Sequence, residues 1–236
     1  MTAPQPTRTD QMTTATGELY AFRDKTSGMW LRFYTPARRY DLWREYVDGA
    51  RRTYRKYHVE KALTLPEADL TSQTPVFSVM TDDAGKVWAG WYANGPLQAV
   101  TDAYAPREFA SEPVSASLIA GWIDDVIPEG VLELKGAWVD PSTDLKAALA
   151  DLTSRAFVHA MHMLGARYAY CTAAEHAAPR WFNSGAREMP GIVPAAYPDE
   201  RYRTTVLWWD ARTALDLSTP EQRSLFLEEH REATTI

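Results

Sequence analysis

The sequence predicts a mixed α/β fold, a central sheet of antiparallel and parallel strands with helices on both faces. Three observations predict it. Asp82-Asp-Ala-Gly85 sits between two strand-like runs, Val76–Thr81 and Lys86–Ala93, and turn residues flanked by alternating apolar residues read as a hairpin. The run Val131–Val139, a helical pattern from about Ser142 to Leu164, and the run Tyr168–Ala173 make a strand–helix–strand unit. Its two strands should lie parallel with a right-handed crossover. Strand-like and helical segments alternate through the rest of the chain, so helices should cover the sheet.

Each element has a local cause. Residues 1–17 hold Thr, Gln and Pro with almost no large apolar side chain, and read as a disordered tail before one domain spanning 18–236. Leu19–Phe22 and Met29–Tyr34 flank Asp24-Lys-Thr-Ser-Gly28, a second hairpin. Pro36 opens a helical pattern in which Tyr40, Trp43, Tyr46, Val47 and Ala50 share one face. Ser115–Val126 reads as a short helix stopped by Pro128 and Gly130. Gly136, inside a strand, marks a bulge or a close backbone approach. The long helix carries a stripe of Leu145, Leu149, Leu152, Ala156, Ala160 and Met163, and Gly165 is its stop. His176–Asn183 reads as a short helix and Arg203–Trp209 as a strand. Thr219-Pro-Glu-Gln222 starts a last helix, about 219–231.

Composition excludes several classes. The chain has 236 residues, 45% hydrophobic and 24% charged, an ordinary globular balance. One cysteine, Cys171, permits no internal disulfide, and no Cys/His spacing suggests zinc. His159 and His162 lie three apart on the long helix, but no third ligand is near in sequence, so no metal is expected. No apolar run approaches the roughly 20 residues of a membrane span. The N-terminus lacks the apolar core of a signal peptide, so the expected location is cytoplasmic. A net charge of −6 argues against nucleic-acid binding. Arg38–Lys61 nevertheless holds eight basic residues against four acids. That helix is either an ordinary solvated face or a dock for an acidic partner.

The element order and several residues resemble the GNAT superfamily of N-acyltransferases across about residues 30–210. The branch most similar is that of the autoinducer synthases and N-acyl amino acid synthases. Its Glu–x6–Asp pattern is matched by Glu133-Leu-Lys-Gly-Ala-Trp-Val139-Asp140, with an acidic spot at Glu67 and Asp69 upstream. The resemblance implies a sheet whose central parallel strands splay to admit an acyl thioester. It also implies transfer of a medium or long acyl group from an acyl carrier protein or acyl-CoA to the amine of a small molecule or amino acid. By the resemblance the donor would be acyl-CoA or an acyl-phosphopantetheine thioester, with no metal required.

By the same resemblance Glu133 would be the base, and the backbone of Ala137, Trp138 and Val139 would hold the donor and its oxyanion. Ser142 and Thr143 would meet its phosphate, and Lys135, Glu175, His176 and Trp181 would face the acceptor. The family's tyrosine acid falls at Trp181, which has no hydroxyl, so Tyr170 would replace it, with Tyr168 and Cys171 as alternatives. Arg38–Lys61 would dock an acidic carrier protein. Three features depart from the pattern. Gly136 stands where the autoinducer synthases have arginine, and Trp91-Tyr-Ala-Asn94 lacks an expected arginine. The phosphate turn R/Q-x-x-G-x-G/A is replaced by Asp144-Leu-Lys-Ala-Ala-Leu149. An acid and filled glycines suit a diphosphate poorly, so a non-catalytic ligand-binding or regulatory module is the rival expectation.

Overall fold

The computed structural model describes residues 17–66 and 76–233. Its strands are β1 (Tyr20–Arg23), β2 (Trp30–Tyr34), β3 (Phe77–Thr81), β4 (Val87–Asn94), β5 (Val131–Val139), β6 (Tyr168–Ala174), β7 (Arg187–Glu188) and β8 (Thr204–Asp210). Its helices are α1 (Tyr40–Lys56), α2 (Ala105–Glu108), α3 (Pro113–Val126), α4 (Lys146–Leu164), α5 (Ala178–Asn183), α6 (Ala214–Leu217) and α7 (Pro220–Ala233). All eight strands join one sheet in the order β1-β2-β3-β4-β5-β6-β8-β7. Glu67, Asp69 and nearly all of the expected N-terminal tail lie outside the described residues. Among the described residues no helix is long and apolar enough to cross a membrane.

Local chemistry explains the hairpins. Asp82 Oδ1 accepts the N–H groups of Ala84 and Lys86, both at 3.0 Å, and Oδ2 accepts the Trp88 indole N–H at 2.8 Å. One side chain thus closes the β3–β4 turn as an Asx-type cap. Asp24 Oδ2 plays the same part between β1 and β2, accepting the N–H and hydroxyl of Ser27. The sheet is antiparallel except for β5 and β6, which pair in parallel as expected at Val131↔Tyr168, Leu132↔Ala169 and Glu133↔Tyr170. Beyond Glu133 and Tyr170 that pairing stops, and the two strands part.

Both sheet faces are covered. α4 and α7 pack on one face with Leu132, Leu134, Trp91 and Trp209. On the other, α1 covers Phe77, Val79, Tyr92 and Trp138, while α3 covers Val131, Tyr168 and Tyr170. α1 follows its expected stripe, with Trp43, Tyr46 and Ala50 buried, although Tyr40 at its first position stays exposed. α4 begins at Lys146, later than the expected Ser142, because Asp140 first holds a tight turn. Its carboxylate accepts the N–H and hydroxyl of Ser142, at 2.8 and 2.6 Å. Gly165 ends α4 at φ +65°, the left-handed stop that glycine takes without strain. α5 likewise starts at Ala178, two residues after His176. α7 starts where expected, with Thr219 Oγ1 accepting the Gln222 N–H.

The side of α4 that faces α7 and β1 is polar but buried. Arg155 donates to both Glu229 oxygens (2.7 and 2.6 Å), to Gln222 Oε1 (2.6 Å) and to Asp24 Oδ1 (2.7 Å). His159 lies beside it, with Nε2 3.0 Å from Glu229 and Nδ1 3.0 Å from the Tyr20 hydroxyl. Both of its ring nitrogens are therefore engaged within the fold. Burial, the largest influence, pushes the His159 pKa down to about 4, so the ring is neutral at pH 7. These bonds clamp α7 to α4 and to the end of β1.

Candidate active site

The cleft where β5 and β6 separate is built on a bulge. β4 pairs with β5 at Tyr92↔Lys135 and again at Gly90↔Trp138, so β5 carries one more residue than β4 across this stretch. Gly136 takes φ +60° there. A Cβ at Gly136 would lie 2.3 Å from the Tyr46 hydroxyl and 3.4 Å from the Tyr92 ring. The bulge carbonyls are held from α1, where Tyr46 donates to Gly136 O at 2.9 Å and Tyr54 to Ala137 O at 3.2 Å. Gly136→Ala combines a left-handed backbone with overpacking and should cost roughly 2–4 kcal/mol. Urea denaturation reads this directly, and an unchanged midpoint would mean that the bulge relaxes freely.

The bulge also corrects an expectation. Simple alternation puts Val131, Glu133, Lys135 and Ala137 on one face of β5, and Leu132, Leu134, Gly136 and Trp138 on the other. The extra residue shifts the parity. Ala137 and Val139 join Leu132 and Leu134 on the α4 side, whereas Trp138 packs on the α1 side against Gly49. Glu133 and Lys135 do share a face, but that face is not a solvated polar one. Glu133 is 0% exposed and Lys135 5%.

Glu133 is held by three donors. Tyr104 N–H (2.9 Å) and Asn94 Nδ2 (3.1 Å) bond Oε2, and Ala105 N–H (2.8 Å) bonds Oε1. Burial raises its pKa above the ordinary carboxylate range, although Lys135 and these donors oppose the rise. Lys135 Nζ forms a buried ion pair with Glu108 Oε1 of α2. Burial acts to discharge this ammonium, but Glu108 and Glu133 outweigh it and hold its pKa above that of an ordinary lysine. Glu108 Oε2 is buried and has no hydrogen-bond partner among the described residues. One buried cation therefore stands between two carboxylates.

The cleft in front of this cluster measures about 250 Å³. Lys135, Gly136 and Ala137 of β5 and Cys171–Ala174 of β6 form its sides, and Tyr54, Phe157, Trp181, Tyr197 and Tyr202 give it an aromatic wall. A second, apolar cleft of about 170 Å³ lies between Trp138, Val139, Ala150 and Arg180, and shares Ala137, Ala177 and Trp181 with the first. Trp181 lines both clefts and Trp138 the second, whereas Trp43, Trp91 and Trp209 are buried in the core.

The structure thus gathers Lys135, Ala137 and Trp181 in the main cleft, and Trp138 and Val139 in the second. Glu133 and Tyr170 lie behind the main cleft rather than on its surface. Glu175 and His176 are exposed at its rim, Glu175 pairing with Arg203 and His176 lying near Tyr202. Ser142 and Thr143 line neither cleft. Ser142 gives its N–H to Asp140, and Thr143 Oγ1 accepts the Leu145 N–H at 3.1 Å. Burial acts to raise the Asp140 pKa, yet the Ser142 bonds, Lys86 and Arg52 hold it below the ordinary range. A carboxylate thus occupies the place where such a turn would offer N–H groups to an anion.

Sequence reasoning missed Tyr54, Tyr197 and Glu108. Tyr54 had a signal, since it continues the buried α1 stripe of Tyr46 and Ala50. Glu108 had none, because α2 is four residues long and lacks periodicity. Four of the groups nearest the bulge are poor acids. Burial, the largest cause in each, pushes Tyr54, Tyr197 and Cys171 up to about 12, and the Tyr170 hydroxyl sits well above its ordinary value.

No protein-family model matches the chain. It is 40% identical over 190 residues to uncharacterized protein Rv1356c of Mycobacterium tuberculosis, which covers 80% of this chain and 72% of that one. Uncharacterized protein Mb1391c of Mycobacterium bovis gives the same figures. Among solved structures, FeeM, an N-acyl amino acid synthase from uncultured soil microbes, superposes with a TM-score of 0.51 at 9% identity. It covers 76% of this chain and 96% of its own. BjaI, a CoA-dependent acyl-homoserine lactone synthase, gives a TM-score of 0.54 at 14% identity, covering 83% and 86%.

Proposed function

We propose that this chain, which belongs to the family of the mycobacterial proteins Rv1356c and Mb1391c and has the GNAT N-acyltransferase fold, transfers an acyl group from a thioester donor to an amine. The observation that carries this reading is the parting of β5 and β6 beside a bulged strand. Past Glu133 and Tyr170 the facing edges lose their ladder partners, which leaves room and free backbone groups for an extended donor arm. The bulge at Gly136–Ala137, fixed by Tyr46 and Tyr54, is a place where strand N–H groups can meet a developing oxyanion.

In this reading the donor is acyl-CoA or an acyl carrier protein, and Ala137, Trp138 and Val139 lie along its arm. A medium or long acyl chain passes Trp181 from the main cleft into the second. The acceptor is a small-molecule amine or an amino acid, approached from the Lys135, Glu175 and His176 side, and Glu133 acts as base. The thiol leaving group takes its proton from the attacking nitrogen, because Tyr54, Tyr170, Cys171 and Tyr197 hold theirs too tightly. A phosphate reaching Ser142 and Thr143 has to displace the Asp140 carboxylate, which favours a donor anchored elsewhere. The basic exposed face of α1 is suited to an acidic carrier protein, since Arg44, Arg51, Arg52, Arg55 and Lys56 all face solvent and the C-terminal end of α1 borders the cleft.

Native mass spectrometry with a panel of acyl-CoAs and an acyl-loaded carrier protein tests the reading. Donor binding, followed by release of free thiol when amines are added, is the expected result. Absence of binding to every thioester would overturn it. The self-satisfied Asp140 turn is the observation that favours the second reading, a ligand-binding module without turnover.

A further inference from the structure

From the cleft floor we infer that the acceptor is bound as a cation, with Glu108 as the residue that receives its ammonium group. This inference rests on the acyltransferase reading for its reaction but not for its binding site. Around Lys135 there are two buried acidic side chains and one basic one, so behind the cleft acids outnumber bases. The two carboxylates are not equivalent. Both Glu133 oxygens are taken by the N–H groups of Tyr104, Ala105 and Asn94. Glu108 gives only Oε1 to Lys135, and its Oε2 is buried with no hydrogen-bond partner among the described residues. A carboxylate oxygen left unpaired in a dry site is costly, and a bound donor removes that cost.

The surroundings of Glu108 select the kind of donor. Lys135 and Tyr197 both line the cleft, and Glu108 lies close enough to Tyr197 to help raise its phenol pKa. The Tyr197 hydroxyl donates to Lys61 O at 3.1 Å, beside the Glu108 carboxyl. Glu108 does not itself line the cleft but lies directly behind Lys135, which does, and the rings of Tyr54, Trp181, Tyr197 and Tyr202 line the space beyond it. Aromatic faces attract cations and offer an anion little. A carboxylate just beneath an aromatic-lined cleft is a chemistry for an alkylammonium group, and a neutral alcohol of the same shape gains much less from it. Glu108 thereby positions the acceptor nitrogen at the bulge, while Glu133 keeps the proton-accepting role.

Two simple probes test this without knowledge of the natural acceptor. Saturation-transfer NMR at pH 7 with n-butylamine, which is protonated there, and with 1-butanol compares charge at nearly constant shape. The ammonium should bind at least tenfold more tightly than the alcohol. Glu108→Gln should remove at least tenfold of the ammonium affinity and leave the alcohol unchanged. In turnover assays the same variant should raise KM for the amine by at least tenfold with a much smaller change in kcat, a split that simple loss of structure would not give. If Glu108→Gln fails to fold, the E108Q/K135M double variant, which removes both charges of the pair, takes its place. Equal binding of the two probes, no detectable ammonium binding, or full ammonium affinity in the variant would each overturn the inference. Butanoyl-CoA in the same experiment separates the two claims. Ammonium binding without any thioester binding keeps Glu108 as a cation site and removes the transferase, and the reverse keeps the transferase alone.

Discussion

Arg155→Met should lower the unfolding free energy by roughly 3–5 kcal/mol, because it removes one partner of a buried charge cluster and leaves the others in place. Arg155 is 2% exposed and satisfies Glu229, Gln222 and Asp24 with one guanidinium. Methionine fills similar space but donates nothing, so two buried carboxylates lose their cation. The consequence should be concentrated in α7, which meets α4 chiefly through this cluster and Phe226. Hydrogen exchange should show α7 opening first, and urea denaturation should give the global loss.

The pH dependence sharpens this prediction. Burial acts to raise the Glu229 pKa, but His159 and Arg155 hold it below the ordinary carboxylate value. A depressed carboxylate pKa stabilises the fold above the unfolded value, and that contribution is lost as pH falls through the folded one. His159 works in the same direction, because it stays neutral in the fold to about pH 4 whereas the unfolded chain takes up a proton near 6.5. The wild-type protein should therefore lose stability from about pH 6.5 downward. In Arg155→Met the deficit should shrink in acid, since a protonated carboxyl no longer needs the guanidinium. A deficit that stays constant with pH would mean that the loss is one of packing, not of charge.

Glu133→Gln should reduce turnover by about 10²- to 10⁴-fold, the usual contribution of a positioned general base. The substitution also has a structural cost. Glu133 accepts three N–H donors, and the amide nitrogen of glutamine accepts none, so a loss of roughly 1–3 kcal/mol is expected beside the kinetic one. A melting curve therefore accompanies the assay, and donor affinity is measured on the same sample. An enzyme should keep its donor affinity and lose turnover, whereas a binding module should show no turnover to lose. Turnover that survives in a folded variant would reduce Glu133 to the residue that holds the start of α2, and through it Glu108.

Much of the architecture was legible because its causes are local. Asp82 closes its hairpin with its own side chain, Thr219 caps its own helix, and Gly165 ends one by a conformation available to few other residues. The order strand, long helix, strand sufficed for a parallel pair, since a right-handed crossover is nearly obligatory. Gly136 marked the bulge, and the Glu133–Asp140 spacing marked the strand that carries it. What tertiary structure alone decided is which side chains this bulge brings together. One extra residue inverts the alternation, so Ala137 and Trp138 exchange the faces that a period of two assigns them. The charge cluster depends on contacts far apart in sequence: Lys135 meets Glu108 across 27 positions, and Arg155 meets Glu229 across 74. Periodicity reports which face of an element is buried, but only the packing of another element on it decides whether a charge there meets water or a counter-charge.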